Sequence, residues 1–144
     1  MKTIEEIKDL INRVCAANLS GTELFTIYSA EAVQAAYNGI GPDSFPESIR
    51  DKISRFLDLF APAALIHDLR YDESNGGRYD FNYANTEFHD NCLKLVGYSF
   101  PWLRHPIKRL AARQVAHALY AAVRSNAGWQ AWQEAYAKNI SKKG

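Results

Sequence analysis

Apolar residues return at three- and four-residue steps along nearly the whole sequence, and prolines and glycines cut that pattern into single-helix lengths. Ile4, Ile7, Ile11 and Val14 alternate with Glu5, Glu6, Lys8 and Asp9, which predicts an amphipathic helix opened by Thr3 and closed near residues 18–21. A second helix is expected over residues 29–37. Residues 47–60 place Ile49, Ile53, Phe56, Leu57 and Phe60 on one face, and Pro62 suits the first turn of a new helix ending near Asp72. Residues 72–77 (DESNGG) are turn chemistry. Tyr79, Phe81 and Tyr83 then alternate with Asp80 and Asn82, the period of a short strand or hairpin. Helices are expected again over residues 84–97, 107–124 and 127–140, the last with Trp129, Trp132 and Tyr136 on one side. The expected fold is mostly α: a single domain whose two central antiparallel helices, 62–72 and 84–97, are joined through a small β-wing.

Composition limits the alternatives. A chain of 144 residues with 47% hydrophobic content has room for one core and not comfortably for two, so residues 1–144 are read as a single domain. Seventeen basic and sixteen acidic residues leave a formal charge of +1, which gives no overall electrostatic case for a nucleic-acid partner. Locally, Arg104, Lys108, Arg109 and Arg113 beside Trp102 form either a solvated helix face or a contact for anionic lipid headgroups. Cys15 and Cys92 make no disulfide framework and fit a reducing compartment. The opening MKTIEEIKDLINRV lacks the apolar run of a signal peptide, so synthesis without export is expected.

Two segments carry chemistry. His67-Asp68 with Tyr71 sets a general base, a metal ligand and a supporting hydroxyl within about one helical turn of each other. Upstream, Tyr37-Asn38-Gly39-Ile40-Gly41-Pro42 is a glycine-spaced loop able to offer backbone carbonyls to a hard cation. Each has a plainer reading, as a satisfied polar pair and as a turn. His89-Asp90 repeats the HD pair, and Cys92 at i,i+3 from His89 admits an HD-type metal-dependent phosphohydrolase or a zinc site, although His105 and His117 fall outside both predicted HD helices.

Taken together, Tyr37-x-Gly39-x-Gly41, His67-Asp68-x-x-Tyr71, the aromatic stretch after it and Asn85-Thr86-Glu87-Phe88 resemble the calcium loop and active-site helices of the phospholipase A2 superfamily. The likeness is to its disulfide-free versions in parvovirus capsids and in phage or prophage proteins. This resemblance implies a lipid-degrading hydrolase in which Ca2+ is held by the carbonyls of Tyr37, Gly39 and Gly41 and by Asp68, His67 takes a proton from water, and the sn-2 fatty acid of a phospholipid is released. Tyr71 would serve as structural support and the Gly39 N–H as a donor to the oxyanion. A phospholipid or membrane surface would be the partner, with release by lysis or packaging in a particle supplying the calcium-rich setting. One position departs from the pattern. The family's helix begins Asp-x-x-Phe, and Asn85 stands where that aspartate would accept a hydrogen bond from the histidine. Asn85 is therefore expected to face His67 Nδ1 and orient the ring without supplying a charge, or to act merely as a helix N-cap. Turnover would be weak, or lost altogether in a scaffold retained for binding lipid, calcium or a protein partner.

Overall fold

The structure, a computed structural model, describes residues 1–40, 45 and 47–143, which leaves Gly41 outside the described residues. The order is α1 (Ile4–Ala16), a 3-10 turn (Thr22–Thr26), α2 (Ala30–Ala36), α3 (Glu47–Arg55), α4 (Leu57–Asp72), α5 (Arg78–Ser99), α6 (Pro106–Val123) and α7 (Asn126–Lys143). No strand occurs among the described residues. The caps fall where their chemistry places them. Thr3 and Glu6 form a reciprocal capping box, and the Ser29 hydroxyl accepts from the Ala32 N–H.

The centre is an antiparallel pair. α4 and α5 pack along their length, α6 lies on α5, α7 on α4 and α6, and α1 and α2 on α4. Residues 60–66 of α4 are buried without interruption, as in a helix enclosed on all sides. The main core gathers Ile7, Leu10 and Val14 from α1, Leu65 and Leu69 from α4, Phe88, Cys92 and Leu95 from α5, and Val115 and Leu119 from α6. A smaller cluster of Phe81, Ala84 and Trp132, flanked by Tyr71 and Trp129, seals the α4–α5 end against α7. Of the aromatic stripe of α7, Trp132 is core at 2% exposed, Trp129 packs against it half-buried, and Tyr136 is half-buried.

The expected β-wing is the N-terminal turns of α5. Tyr79 and Tyr83 are four residues apart and share an outer face, while Phe81, about 200° from each, turns inward. Over five residues that arrangement alternates as a strand does. The longer pattern decides it: Phe81, Ala84, Asn85, Phe88, Asn91, Cys92, Leu95 and Val96 are all buried at helical spacing. Asn85 consequently lies inside α5 and not at a cap.

Pro62 also sits where it was not expected. The residue-47 segment breaks at Phe56, α4 begins at Leu57, and Pro62 lies in the sixth position, past the first turn. Proline there removes the bond that residue 62 would have given to the Asp58 carbonyl. Arg13 of α1 makes good the loss, since its Nη2 donates to Asp58 O at 2.6 Å and its Nη1 to Asp58 Oδ1 at 3.2 Å. At the other end of α4 the turn to α5 is held by α7. Trp132 Nε1 donates to Gly77 O at 3.1 Å, Gln133 Nε2 to Gly76 O at 2.8 Å, and Asn139 Nδ2 to Asp72 O at 2.9 Å. Gly76 has φ +74, and a Cβ there would lie 2.5 Å from the Tyr136 ring, so only glycine serves.

The Arg13 contact yields a coupling that can be measured. Arg13→Ala should cost about 0.5–1.5 kcal/mol, the net worth of a solvent-accessible hydrogen bond, because the exposed Asp58 carbonyl then falls back on water. In a Pro62→Ala background the cost should be clearly smaller, because position 62 regains an N–H for that carbonyl. Urea unfolding of the four proteins gives the double-mutant cycle, and strictly additive costs would show that Arg13 has no link to the proline.

Candidate active site

The C-terminal half of α4 divides its polar residues between two neighbours. His67 and Tyr71, four apart, face α5, while Asp68 turns about 100° away toward the chain leaving α2. The His67 ring lies between Tyr71 and Phe88, with centroids 4.4 and 4.7 Å away. Its Nε2 is 2.9 Å from Asn85 Oδ1, and the Tyr71 hydroxyl donates to the same oxygen at 3.0 Å. Burial pushes the Tyr71 hydroxyl pKa up, which keeps it a donor.

The Asn85 amide has only one sensible orientation. Its Nδ2 donates to the carbonyl of Val123 at 3.2 Å, the last residue of α6, and a backbone carbonyl can only accept. Oδ1 must then receive both His67 and Tyr71. The His67 proton is therefore on Nε2, and Nδ1 is the bare nitrogen of a residue that lines the cleft. The contact expected through Nδ1 is thus made through Nε2, the opposite ring nitrogen. Gly128 makes room for this arrangement, because a Cβ there would collide with the Val123 carbonyl. Neither Val123 nor Gly128 was singled out in the sequence. The available signal was a glycine within a helical pattern, which usually marks a close approach.

Asp68 meets the backbone that follows α2 directly, at Asn38 and Gly39. Its Oδ2 accepts from the N–H groups of Asn38 and Gly39 at 2.7 and 2.9 Å. The loop thus presents amides to this oxygen, and the Gly39 N–H expected to hold an oxyanion is engaged with Asp68. Tyr37 closes α2, and its hydroxyl arches over Gly39. Among the described residues no group of three or more His, Cys, Asp or Glu side chains could hold a metal. His89 pairs instead with His117, Nε2 to Nδ1 at 3.0 Å, and stacks on Tyr120, while Cys92 is fully buried in the core.

A cleft of about 550 Å³ opens over His67, Asp68 and Tyr71, walled by Gly39, Phe88 and Leu119. That size accommodates a small organic ligand or a segment of a larger one. Outside the cleft lining, a second polar cluster that no sequence motif marks braces α4 against α5. Arg70 grips the buried Glu87 through Nε at 2.9 Å and Nη2 at 3.0 Å, and also reaches Glu23 at 2.7 Å. Ser20 Oγ donates to Glu87 at 2.8 Å. The Glu87 carboxylate is thereby fully engaged.

Burial pushes the His67 imidazole down to about 4 from its ordinary 6.5, against the hydrogen bond to Asn85 and the charge of Glu87. Burial pushes the Asp68 carboxyl up to about 7 from 3.8, against the Gly39 and Asn38 amides. The two shifts have opposite effects on stability. Below pH 6.5 the unfolded chain protonates His67 while the native chain resists until about 4, so acidification through that window destabilises the fold. The native chain protonates Asp68 near 7 and the unfolded chain only near 3.8, so acidification through the same window stabilises it. Melting temperatures measured in chelator from pH 7 to 4.5 should therefore diverge. Relative to the native chain, His67→Gln should gain stability on acidification and Asp68→Asn should lose it. Parallel profiles in the two variants would refute the opposed shifts.

Compared with known protein families, curated proteins and solved structures, the chain matches none.

Proposed function

We propose that the protein is a calcium-dependent hydrolase of phospholipid sn-2 esters, with low turnover. The observation that supports this best is the fixed tautomer of His67. Its Nε2–H is held by Asn85, which leaves Nδ1 without a proton on a residue that lines the cleft, and Asp68 follows immediately, bonded to the backbone of Asn38 and Gly39.

Hydrolysis needs a base at neutral pH. With its pKa near 4, His67 is neutral there and able to receive a proton from a water at Nδ1, though its basicity is low. The proton gained would leave an imidazolium stabilised by the Asn85 dipole and, at longer range, by Glu87, without an adjoining carboxylate. Exchange of Asp for Asn in a serine-protease triad costs ~10⁴ in turnover, partly through the wrong tautomer. Here the Val123 carbonyl imposes the useful tautomer, so the deficit should be smaller than that. Tyr71 and Phe88 hold the ring plane, and the apolar wall at Leu119 suits an acyl chain.

The donor chemistry fits a hard cation. Asp68 is a desolvated carboxyl whose Oδ2 accepts from two amides, and among the described residues no donor reaches Oδ1. Bound there by Asp68 and by carbonyls of Tyr37, Gly39 and Gly41, Ca2+ would supply polarisation of the ester carbonyl.

A second reading, a phospholipase-like scaffold that binds without turnover, is favoured by the bond that ties the Gly39 N–H to Asp68. Fatty-acid release from mixed phospholipid vesicles separates the two. Release should require calcium, stop in chelator, and disappear in His67→Gln. Calorimetry should show calcium binding abolished in Asp68→Ala and nearly intact in His67→Ala. Calcium binding without any release above the His67→Gln control would establish the scaffold instead.

Asn85→Asp tests the dyad. A carboxylate there should raise the His67 pKa and the turnover per folded molecule. Because Asn85 is 1% exposed and bonded to Val123 O, the change also sets two acceptors face to face, and stability should fall by about 1–3 kcal/mol. An unshifted His67 titration by NMR would show that the two side chains are not coupled.

A further inference from the structure

The charges of this chain are strongly segregated. Residues 1–90 carry eight basic and fifteen acidic residues, whereas residues 91–133 contain Lys94, Arg104, Lys108, Arg109, Arg113 and Arg124 and not one carboxylate. The near-neutral total conceals this division.

Within the basic stretch lies the most exposed apolar group of the molecule. From the end of α5 through the first turns of α6, Tyr98 is 63% exposed, Trp102 52%, Leu103 100%, Ile107 81% and Leu110 52%. Residues 101–108 are exposed without interruption. The segment is nevertheless held in place. The N–H groups of Arg104 and His105 bond to Pro101 O at 3.1 and 3.0 Å, Arg109 donates to Phe100 O, and the Arg109 guanidinium lies 4.8 Å over the Trp102 ring. Phe100 is anchored edge-on against Phe56. A fixed turn that leaves Leu103 fully and Ile107 mostly in solvent is a surface awaiting a partner.

The geometry points to an anionic phospholipid surface as that partner: the turn at residues 100–105 and the start of α6 lie on the bilayer, with Leu103 and Ile107 entering the acyl boundary, Trp102 at headgroup level, and Arg104 and Lys108 on the phosphates. Charge complementarity selects this occupant. A second copy docked symmetrically would bring one basic segment against another, and a nucleic acid would pair with the cations and leave Leu103 and Ile107 in water. Among the described residues no helix is long and apolar enough to cross a membrane, so the contact is an interfacial one. The inference deepens the lipolytic reading, but it rests on residues that take no part in the cleft.

Sedimentation of the full chain with vesicles, in chelator, provides the test. Binding is expected to phosphatidylglycerol vesicles, to weaken with salt, and to be far poorer with phosphatidylcholine alone. Arg104→Ala and Lys108→Ala should each weaken it about five-fold. Leu103→Asp and Ile107→Asp should each weaken it about ten-fold or more with an unchanged melting temperature, since both side chains are exposed. Equal affinity for the two lipids, or full binding by all four variants, overturns the proposal. So does a dimer of the native chain that Leu103→Asp dissociates, or single-stranded RNA binding that responds to the basic variants and not to Leu103→Asp. Hydrolysis is judged separately, with dispersed short-chain phosphatidylcholine and calcium. Cleavage of those monomers without vesicle binding sinks the surface alone; vesicle binding without cleavage sinks the hydrolase alone.

Discussion

Three helices meet in the side chain of Asn85. Its oxygen receives His67 and Tyr71 from α4, and its nitrogen closes the C-terminal carbonyl of α6, all from a residue 1% exposed inside α5. Such a group is costly unless each of its partners is in place, and its partners are costly without it. The amide is also the one side chain of its size that can do both tasks. A carboxylate would repel the Val123 carbonyl, and an apolar residue would leave an imidazole N–H, a phenol and a carbonyl unpaired. The position that departs from the phospholipase pattern therefore has a structural reason within this fold, and the choice of tautomer at His67 follows from it.

The rest of the framework keeps α4 where Asn85 needs it. One end carries a proline that should weaken the helix, and α1 repairs it with a guanidinium. The other end is a turn whose carbonyls are taken by α7. Between them, Arg70 and Glu87 form a largely buried pair whose fixed fork opposes sliding of α4 along α5. A slip of one residue would turn His67 by about 100° and out of reach of Asn85.

Much of this was legible in the sequence because it depends on local rules. Thr3, Ser29 and Pro106 mark helix starts, and the apolar steps mark helix faces. The association of His67, Asp68 and Tyr71 on adjoining faces of one helix follows from spacing alone. What escaped depends on longer windows or on distant partners. Five residues around Phe81 fit both periods, and only the run to Val96 distinguishes them. Pro62 reads as a helix start until Arg13, far away in sequence, is seen to replace the missing bond. The partner of Asn85 lies in α6, and no spacing rule joins residue 85 to a backbone carbonyl at 123. The direction of the Asp68 contact, to amides, is set by backbone angles such as φ +73 at Gly39 that the residue type permits but does not dictate.

The embrace of the α4–α5 turn by α7 has a kinetic side. Trp132 and Gly77 are 55 positions apart, so closing that contact entails ordering the intervening chain, α6 included. The two helices that carry His67 and Asn85 are neighbours in sequence, yet the turn joining them is finished only when α7 arrives. Detachment of α7 would release the Gly76 and Gly77 carbonyls to water together with the Trp132 cluster. In hydrogen-exchange terms, α7 and the turn should open as a unit below the global free energy, and the cleft would lose its wall before the bundle loses its core.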